Sequence, residues 1–174
     1  VQTLMMGLRK QGFTGRIVLG GPQISYSGAG LERHYPEADA FIRGYGEHAL
    51  TALVSSADRR PIAGVHWAGE SDACDQARPP LASLPSPFLM KIIEVSSQRF
   101  LRWETQRGCV YRCSFCQHRE PGERASKRER SLGLGRLRAE IALFVASGVE
   151  DIAVLDPIFN SGSNYLSILA EFRR

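Results

Sequence analysis

The sequence predicts an α/β fold built from two sets of parallel strand–helix units, and three observations carry that prediction. Short continuous apolar runs of strand length occur at Ile17-Val18-Leu19, Ala40-Phe41-Ile42 and Ile152 to Leu155, as expected of parallel strands buried on both faces. Segments with apolar residues at helical spacing alternate with them, notably Leu134 to Ala146 and Tyr165 to Phe172. The first two runs close on glycine-rich turns, Gly20-Gly21-Pro22 and Gly44-Tyr45-Gly46.

At the amino end, Leu4, Met5, Leu8 and Phe13 fall near helical spacing and run into Gly12 and Gly15, which predicts the tail of an amphipathic helix and its stop. The strands at 17–19 and 40–42 follow. Glu47 to Ser55 then reads as a helix, with Glu47 in the first turn, where the helix dipole favours a carboxylate. Two strands are fewer than an independent doubly wound sheet uses, so residues 1–56 read as part of a domain. Residues 57–90 hold Arg59-Arg60-Pro61, Gly64, Gly69, Pro79-Pro80, Pro85 and Pro87 with little periodicity. That composition predicts a linker with one short hairpin around Ala63 to Ala68, and Cys74 inside it reads as incidental. Residues 91–174 form the second part. There the pattern predicts a strand from Phe100 to Thr105 and a helix from Leu134 to Ala146 that buries Leu137, Ile141, Phe144 and Val145. A strand from Ile152 to Leu155 and a helix from Tyr165 to Phe172 complete it.

Of the 174 residues, 43% are hydrophobic and 23% charged, the profile of a folded soluble domain. No apolar run approaches the ~18 residues of a membrane-spanning helix. The chain starts at Val1 without a basic leader or an apolar signal core, so a cytoplasmic location is expected, with no membrane partner. The net charge of +4 is concentrated between Arg119 and Arg138, where seven basic residues meet three acidic ones. A positive stretch can steer polyanions. Its interleaved acids and lack of aromatics to stack a base favour a solvated loop and helix face over a nucleic-acid site.

The strongest chemical signal is Gly108-Cys109-Val110-Tyr111-Arg112-Cys113-Ser114-Phe115-Cys116, a C-x3-C-x2-C cluster directly after a predicted strand. Close thiols outside an oxidising compartment point to metal ligands or redox groups rather than to disulfides. Four-iron clusters are commonly held by four thiolates, so a local set of three leaves one iron open to a small molecule. Zinc is the competing reading, because His118 would complete a Cys3His set. Zinc ligands usually come as separated pairs, and His118 lies very close to Cys116, which favours the iron–sulfur cluster.

The stretch from Glu104 to Cys116 resembles the cluster loop of the radical S-adenosylmethionine enzymes, including the aromatic Phe115 before the last cysteine. The resemblance implies that Cys109, Cys113 and Cys116 hold a 4Fe-4S cluster and that Phe115 contacts the adenine of S-adenosylmethionine. The open iron would chelate the amino and carboxylate groups of that cofactor, and one electron would cleave it to methionine and a 5′-deoxyadenosyl radical. The protein's part would be orientation and exclusion of water. Asp156 and Asn160, in the segment leaving the last strand, are candidates to hold the cofactor, because strand-end residues of a parallel barrel face the site. Capping of the following turn is the alternative for both.

Val18-Leu19-Gly20-Gly21-Pro22-Gln23, with Asp39 to Glu47, resembles the last third of the cobalamin-binding domain that precedes the cluster domain in one large subgroup of these enzymes. The resemblance implies that Gly20, Gly21, Gly44 and Gly46 let the backbone approach cobalamin. No cobalt-ligating spacing is found for His34, His48 or His66. The implied fold is the C-terminal part of a doubly wound, Rossmann-like domain followed by the first units of a partial (β/α) barrel. Both ends are expected to be truncated, since the residues after Cys116 fall far short of the order of 200 such a barrel needs. The implied function is an enzyme, a cobalamin-dependent methyltransferase acting on a small metabolite or natural-product precursor, with an electron donor as partner. Oxidative cyclisation or rearrangement by the same cofactor, an inactive fragment, and a structural zinc module are the alternatives.

Overall fold

The computed structural model describes residues 1–55, 58–111, 113–116 and 130–173. The chain divides into two compact units, Val1–Pro79 and Pro80–Arg174. Both are α/β.

In the first unit, helix α1 (Gln2–Lys10) leads to strand β1 (Val18–Leu19), the short helix α2 (Pro22–Ser25), strand β2 (Ala40–Ile42), helix α3 (Glu47–Val54) and strand β3 (Val65–Trp67). β1 and β2 are parallel, with Val18 opposite Ala40 and Leu19 opposite Phe41. The run at 40–42 is fully buried because successive side chains serve opposite faces of the sheet. Phe41 packs with Met5, Ile17, Ile24, Leu31 and Ala38 on one side. Ala40 and Ile42 pack with Ala49, Leu53, Trp67 and Ala77 on the other. A carboxylate sets the register at the start of both strands: Asp39 Oδ2 accepts from the Ile17 amide at 2.6 Å and from Arg9 Nη2 at 2.7 Å.

Two expectations for this unit need correction. The expected hairpin at 63–68 is a single strand, β3, which pairs antiparallel with β2, so the sheet is mixed rather than wholly parallel. Within this unit Trp67 is 3% exposed and packs with Ala40, Ile42 and Ala77. Phe13 lies beyond α1 and is 44% exposed, since the chain leaves the helix at Gly12 with φ of 84°.

The second unit contains strand β4 (Phe100–Trp103), helix α4 (Leu134–Ala146), strand β5 (Asp151–Val154) and helix α5 (Tyr165–Phe172). β4 and β5 are parallel and pair from Phe100 with Asp151 to Trp103 with Val154. β4 alternates, with Leu101 and Trp103 buried and Phe100 and Arg102 exposed. Trp103 meets Phe144 and Phe172 edge to face, with ring centroids 5.8 and 6.0 Å apart. Its indole N–H donates to Glu140 Oε2 at 2.7 Å, and Arg136 Nε donates to Glu140 Oε1 at 2.8 Å.

Leu137, Ile141 and Phe144 of α4 are buried as expected, but Val145 is 71% exposed. Val145 is rotated about 100° from Phe144 around the helix, which carries it past the edge of the buried stripe. The flank on the other side is taken by Glu140, fully buried because the Trp103 indole needs an acceptor.

Candidate functional site

Each unit contributes its own candidate region. In the first, Gly20-Gly21 and Gly44 to Gly46 come together at the carboxyl ends of β1 and β2, the edge at which open α/β sheets bind ligands. A Cβ at Gly20 would stand 3.6 Å from the Ile42 carbonyl oxygen, and one at Gly46 would stand 3.6 Å from Ile42 Cγ2. Gly21 has φ of 94° with open space around it, and Pro22 follows at the start of α2. Gly44, at φ of 79°, is different. Its missing Cβ would lie 2.4 Å from the Ala77 carbonyl oxygen, and a parallel bridge joins the two residues. The chain itself occupies the close approach that this glycine permits.

Behind this edge stands a charge network that sequence reasoning missed. Arg43, 1% exposed, donates to the carbonyls of Ile24 at 2.7 Å, Ser27, and Gly28 at 3.1 Å, and to Asp72 Oδ2 at 2.7 Å. His66 lies 4.0 Å from the same Asp72 oxygen and hydrogen-bonds Glu32, with its ring stacked on Phe41 at 5.7 Å. Burial raises the Asp72 carboxyl, but the Arg43 hydrogen bond, the Cys74 amide and the charges of Arg43 and His66 outweigh it and hold it below its ordinary value. Glu32 is lowered in the same sense: burial opposes the shift, while its own amide, His66 and the Gly69 amide produce it. Cys74, read as incidental, is exposed at φ of 57°, a conformation supported by its amide donating to Asp72 Oδ1 at 2.9 Å. A cavity of about 590 Å³ opens beside the loop that Arg43 holds, lined by Gln23, Ser27, Gly28, Gly30, His34 and Tyr35 among others. No spacing rule signals such a network, because its partners are 29 and 34 residues apart.

The second unit carries the cysteines. The chain leaves β4, turns at Gly108 with φ of 74°, and enters the segment bearing Cys109, Cys113 and Cys116. None of the three is in a disulfide; Cys113 is exposed and the other two partly so. The Cys116 amide donates to the Cys113 carbonyl at 3.1 Å, and the Tyr111 amide points to Cys109 Sγ at 3.4 Å. Phe115 is 91% exposed. His118 and the basic residues from Arg119 to Arg128 lie outside the described residues. Of the basic residues that are described, Arg136 bonds Glu140 and the Leu84 carbonyl, and Arg138 bonds Glu171 at 2.8 Å.

The segment after β5 meets the base of this loop. Asp156 Oδ1 accepts from the amides of Thr105 at 2.8 Å and Gln106 at 3.2 Å, and Asp156 Oδ2 accepts from the Thr105 hydroxyl. These partners lie upstream at the end of β4, not in the turn that follows Asp156. Asn160 is exposed in a single 3-10 turn, Phe159–Ser161.

The donor set fits a thiolate-bound cluster chemically: three cysteines outside any disulfide, all within reach of solvent on one loop. Among the described residues, no three His, Cys, Asp or Glu side chains converge as a metal-holding group, and no helix is long and apolar enough to cross a membrane. Metal binding and the folding of a ligand loop are coupled.

No protein-family model matches the chain. It is similar to the cobalamin-dependent radical SAM methyltransferase TokK of Streptomyces tokunonensis, with 30% identity over 177 aligned residues that cover 90% of this chain and 26% of that protein. It is also similar to the 2-(S-pantetheinyl)-carbapenam-3-carboxylate methyltransferase of Streptantibioticus cattleyicolor, with 29% identity over 160 residues, 82% of this chain and 23% of that protein. The chain thus spans about a quarter of the length of these curated relatives. By this similarity, and by the cysteine loop that follows β4, the chain is related to the cobalamin-dependent radical S-adenosylmethionine enzymes.

Proposed function

We propose that these residues belong to an enzyme that methylates a small metabolite or natural-product precursor by cobalamin-dependent radical chemistry. On this reading the first unit is the carboxyl-terminal part of a Rossmann-like cobalamin domain, and the second opens a partial (β/α) barrel. One observation carries the reading: three cysteines in C-x3-C-x2-C spacing follow a parallel strand, in a chain 30% identical to such a methyltransferase over 90% of its length.

Cys109, Cys113 and Cys116 would hold the 4Fe-4S cluster, and the exposed ring of Phe115 would lie against the adenine of S-adenosylmethionine. Bound there, the cofactors would pass on the electron that cleaves S-adenosylmethionine and supply the methyl group that is transferred. The chain's own residues bind and orient. Gly20, Gly21 and Gly46 carry no side chain at the carboxyl edge of β1 and β2, and Gly21 has open space around it, so that a large planar ligand could approach the backbone there. Gly44 does not share in this opening, since Ala77 occupies the space beside it. Asp156 and Asn160 lie on the segment leaving β5, at the corresponding edge of the second sheet. An electron donor for cluster reduction and a small-molecule substrate are the partners this chemistry requires.

The test is anaerobic reconstitution of the chain with iron and sulfide, followed by electron paramagnetic resonance of the reduced sample with and without S-adenosylmethionine. The expected result is a four-iron signal that changes when the cofactor is added and is lost in Cys113→Ala. Uptake of one zinc per chain with no sulfide would overturn the reading.

A further inference from the structure

The cysteine segment is a loop with a closed base. Before it, Thr105 and Gln106 are 5% and 1% exposed, and after it Ser131 and Leu132 are equally buried. The two legs run antiparallel: the Arg107 amide donates to the Arg130 carbonyl at 2.8 Å, the Leu132 amide donates to the Thr105 carbonyl at 2.9 Å, and Gln106 bridges Ser131. Both legs are then fastened to the segment that leaves β5. Asp156 takes the amides of Thr105 and Gln106 and the Thr105 hydroxyl. Gln106 reciprocates, its Nε2 donating to the carbonyls of Ile158 and, at 3.4 Å, Phe159. The returning leg is held by Asn164 Nδ2, which donates to the Leu132 carbonyl at 2.9 Å, and by the Ser163 amide, 3.3 Å from Ser131 Oγ. Gly162 makes room for the clasp, because a Cβ there would stand 2.9 Å from Gln106 Oε1.

We propose that Asp156 and Gln106 are positioning residues, forming a reciprocal clasp that fixes the base of the cysteine loop, so that Asp156 acts on the cluster through Thr105 and Gln106 without touching the cofactor. This rests on the function proposed above. The physical argument is one of occupancy. A carboxylate has two oxygens and about four acceptor sites, and three of those sites already receive buried donors of the loop base. Two of the donors are main-chain amides that would be orphaned if the carboxylate turned toward a ligand, and orphaned buried amides are rare because they are costly. Hydrogen bonds to a charged acceptor are also the stronger kind. The clasp lies a few residues before Cys109, so loosening it releases the entry leg of the ligand loop.

The experiment compares the wild-type 174-residue chain with Asp156→Asn, Thr105→Val and Thr105→Ser. In the metal-free protein, hydrogen exchange is read at the amides of Thr105, Gln106 and Leu132. In the reconstituted protein, the rate of iron release to a chelator is read, together with the S-adenosylmethionine concentration that half-converts the resonance signal. Both Asp156→Asn and Thr105→Val should speed exchange and iron release about tenfold, the scale of one charge-assisted hydrogen bond lost. Thr105→Ser, which keeps the hydroxyl, should match wild type, and the half-converting concentration should stay within about twofold in all variants that retain cluster. A raised half-converting concentration in Asp156→Asn, with iron release unchanged and Thr105→Val silent, would place Asp156 on the cofactor and overturn the proposal. If the wild type takes up zinc and no cluster, the proposed function fails. The exchange arm then decides the clasp alone, and unchanged exchange at Thr105 and Gln106 refutes it.

Discussion

Replacing Asp72 with Asn tests whether the buried network holds the first unit together. The change is nearly isosteric and removes the charge opposite Arg43, whose side chain is 1% exposed and lies 2.7 Å from the carboxylate. At a charge separation of ~4 Å and an effective dielectric near 20, the lost attraction is about 4 kcal/mol. Breaking a buried pair from one side costs roughly 3–5 kcal/mol. Arg43 keeps its bonds to the carbonyls of Ile24, Ser27 and Gly28, which puts the expected loss at the lower end, about 3 kcal/mol. That is a large share of the ~5–15 kcal/mol that stabilises a typical domain. The assay is hydrogen exchange at the Phe41 and Ile42 amides in the centre of the sheet, where 3 kcal/mol corresponds to about a hundredfold faster exchange near neutral pH. The pH dependence carries a sign. Asp72 is held below its ordinary value, so its contribution is fully present above the unfolded-state pKa near ~3.9 and is lost as pH falls through the folded value. The gap between wild type and Asp72→Asn should therefore narrow only in acid. A difference below about fivefold near neutral pH, or a gap that stays constant as wild-type Asp72 protonates, would refute the reasoning.

Three further substitutions read local packing. Gly44→Ala forces a side chain into φ of 79° and to within 2.4 Å of the Ala77 carbonyl oxygen; a loss of roughly 2 kcal/mol or more is expected in urea unfolding. Gly21→Ala, strained in φ but with open space, should lose only about 1 kcal/mol by the same measure. Trp103→Phe removes the donor to Glu140 Oε2 and leaves that fully buried carboxylate with Arg136 alone, so thermal unfolding of the second unit should show a loss of roughly 1–3 kcal/mol.

Much of the chain is legible in its sequence, and the reason is locality. The helices at Leu134–Ala146 and Tyr165–Phe172 have the bounds that their apolar spacing predicts, because helical periodicity is written within the segment itself. The strand at 40–42 was readable for the same reason: a run apolar at every position must be buried on both faces. The three cysteines also declare themselves locally, since a ligand loop needs its donors close in the chain. Val145 shows the limit even of a local pattern, because an apolar residue at the edge of the stripe is buried only if the neighbouring structure reaches that far.

The amino-acid sequence by itself determined the α/β class, the order of most elements, the glycine turns at the ends of β1 and β2, and the cysteine loop after β4. Tertiary structure alone decided that the segment at 65–67 joins the first sheet as an antiparallel strand, that Ala77 fills the space beside Gly44, that Arg43 finds Asp72, and that Asp156 grips Thr105. Each of these is a contact between residues far apart in the chain, up to 51 positions for Asp156 and Thr105. A buried charge or an unsatisfied amide is costly until it meets its partner, but which distant residue serves is chosen by packing and leaves no periodic trace in the sequence.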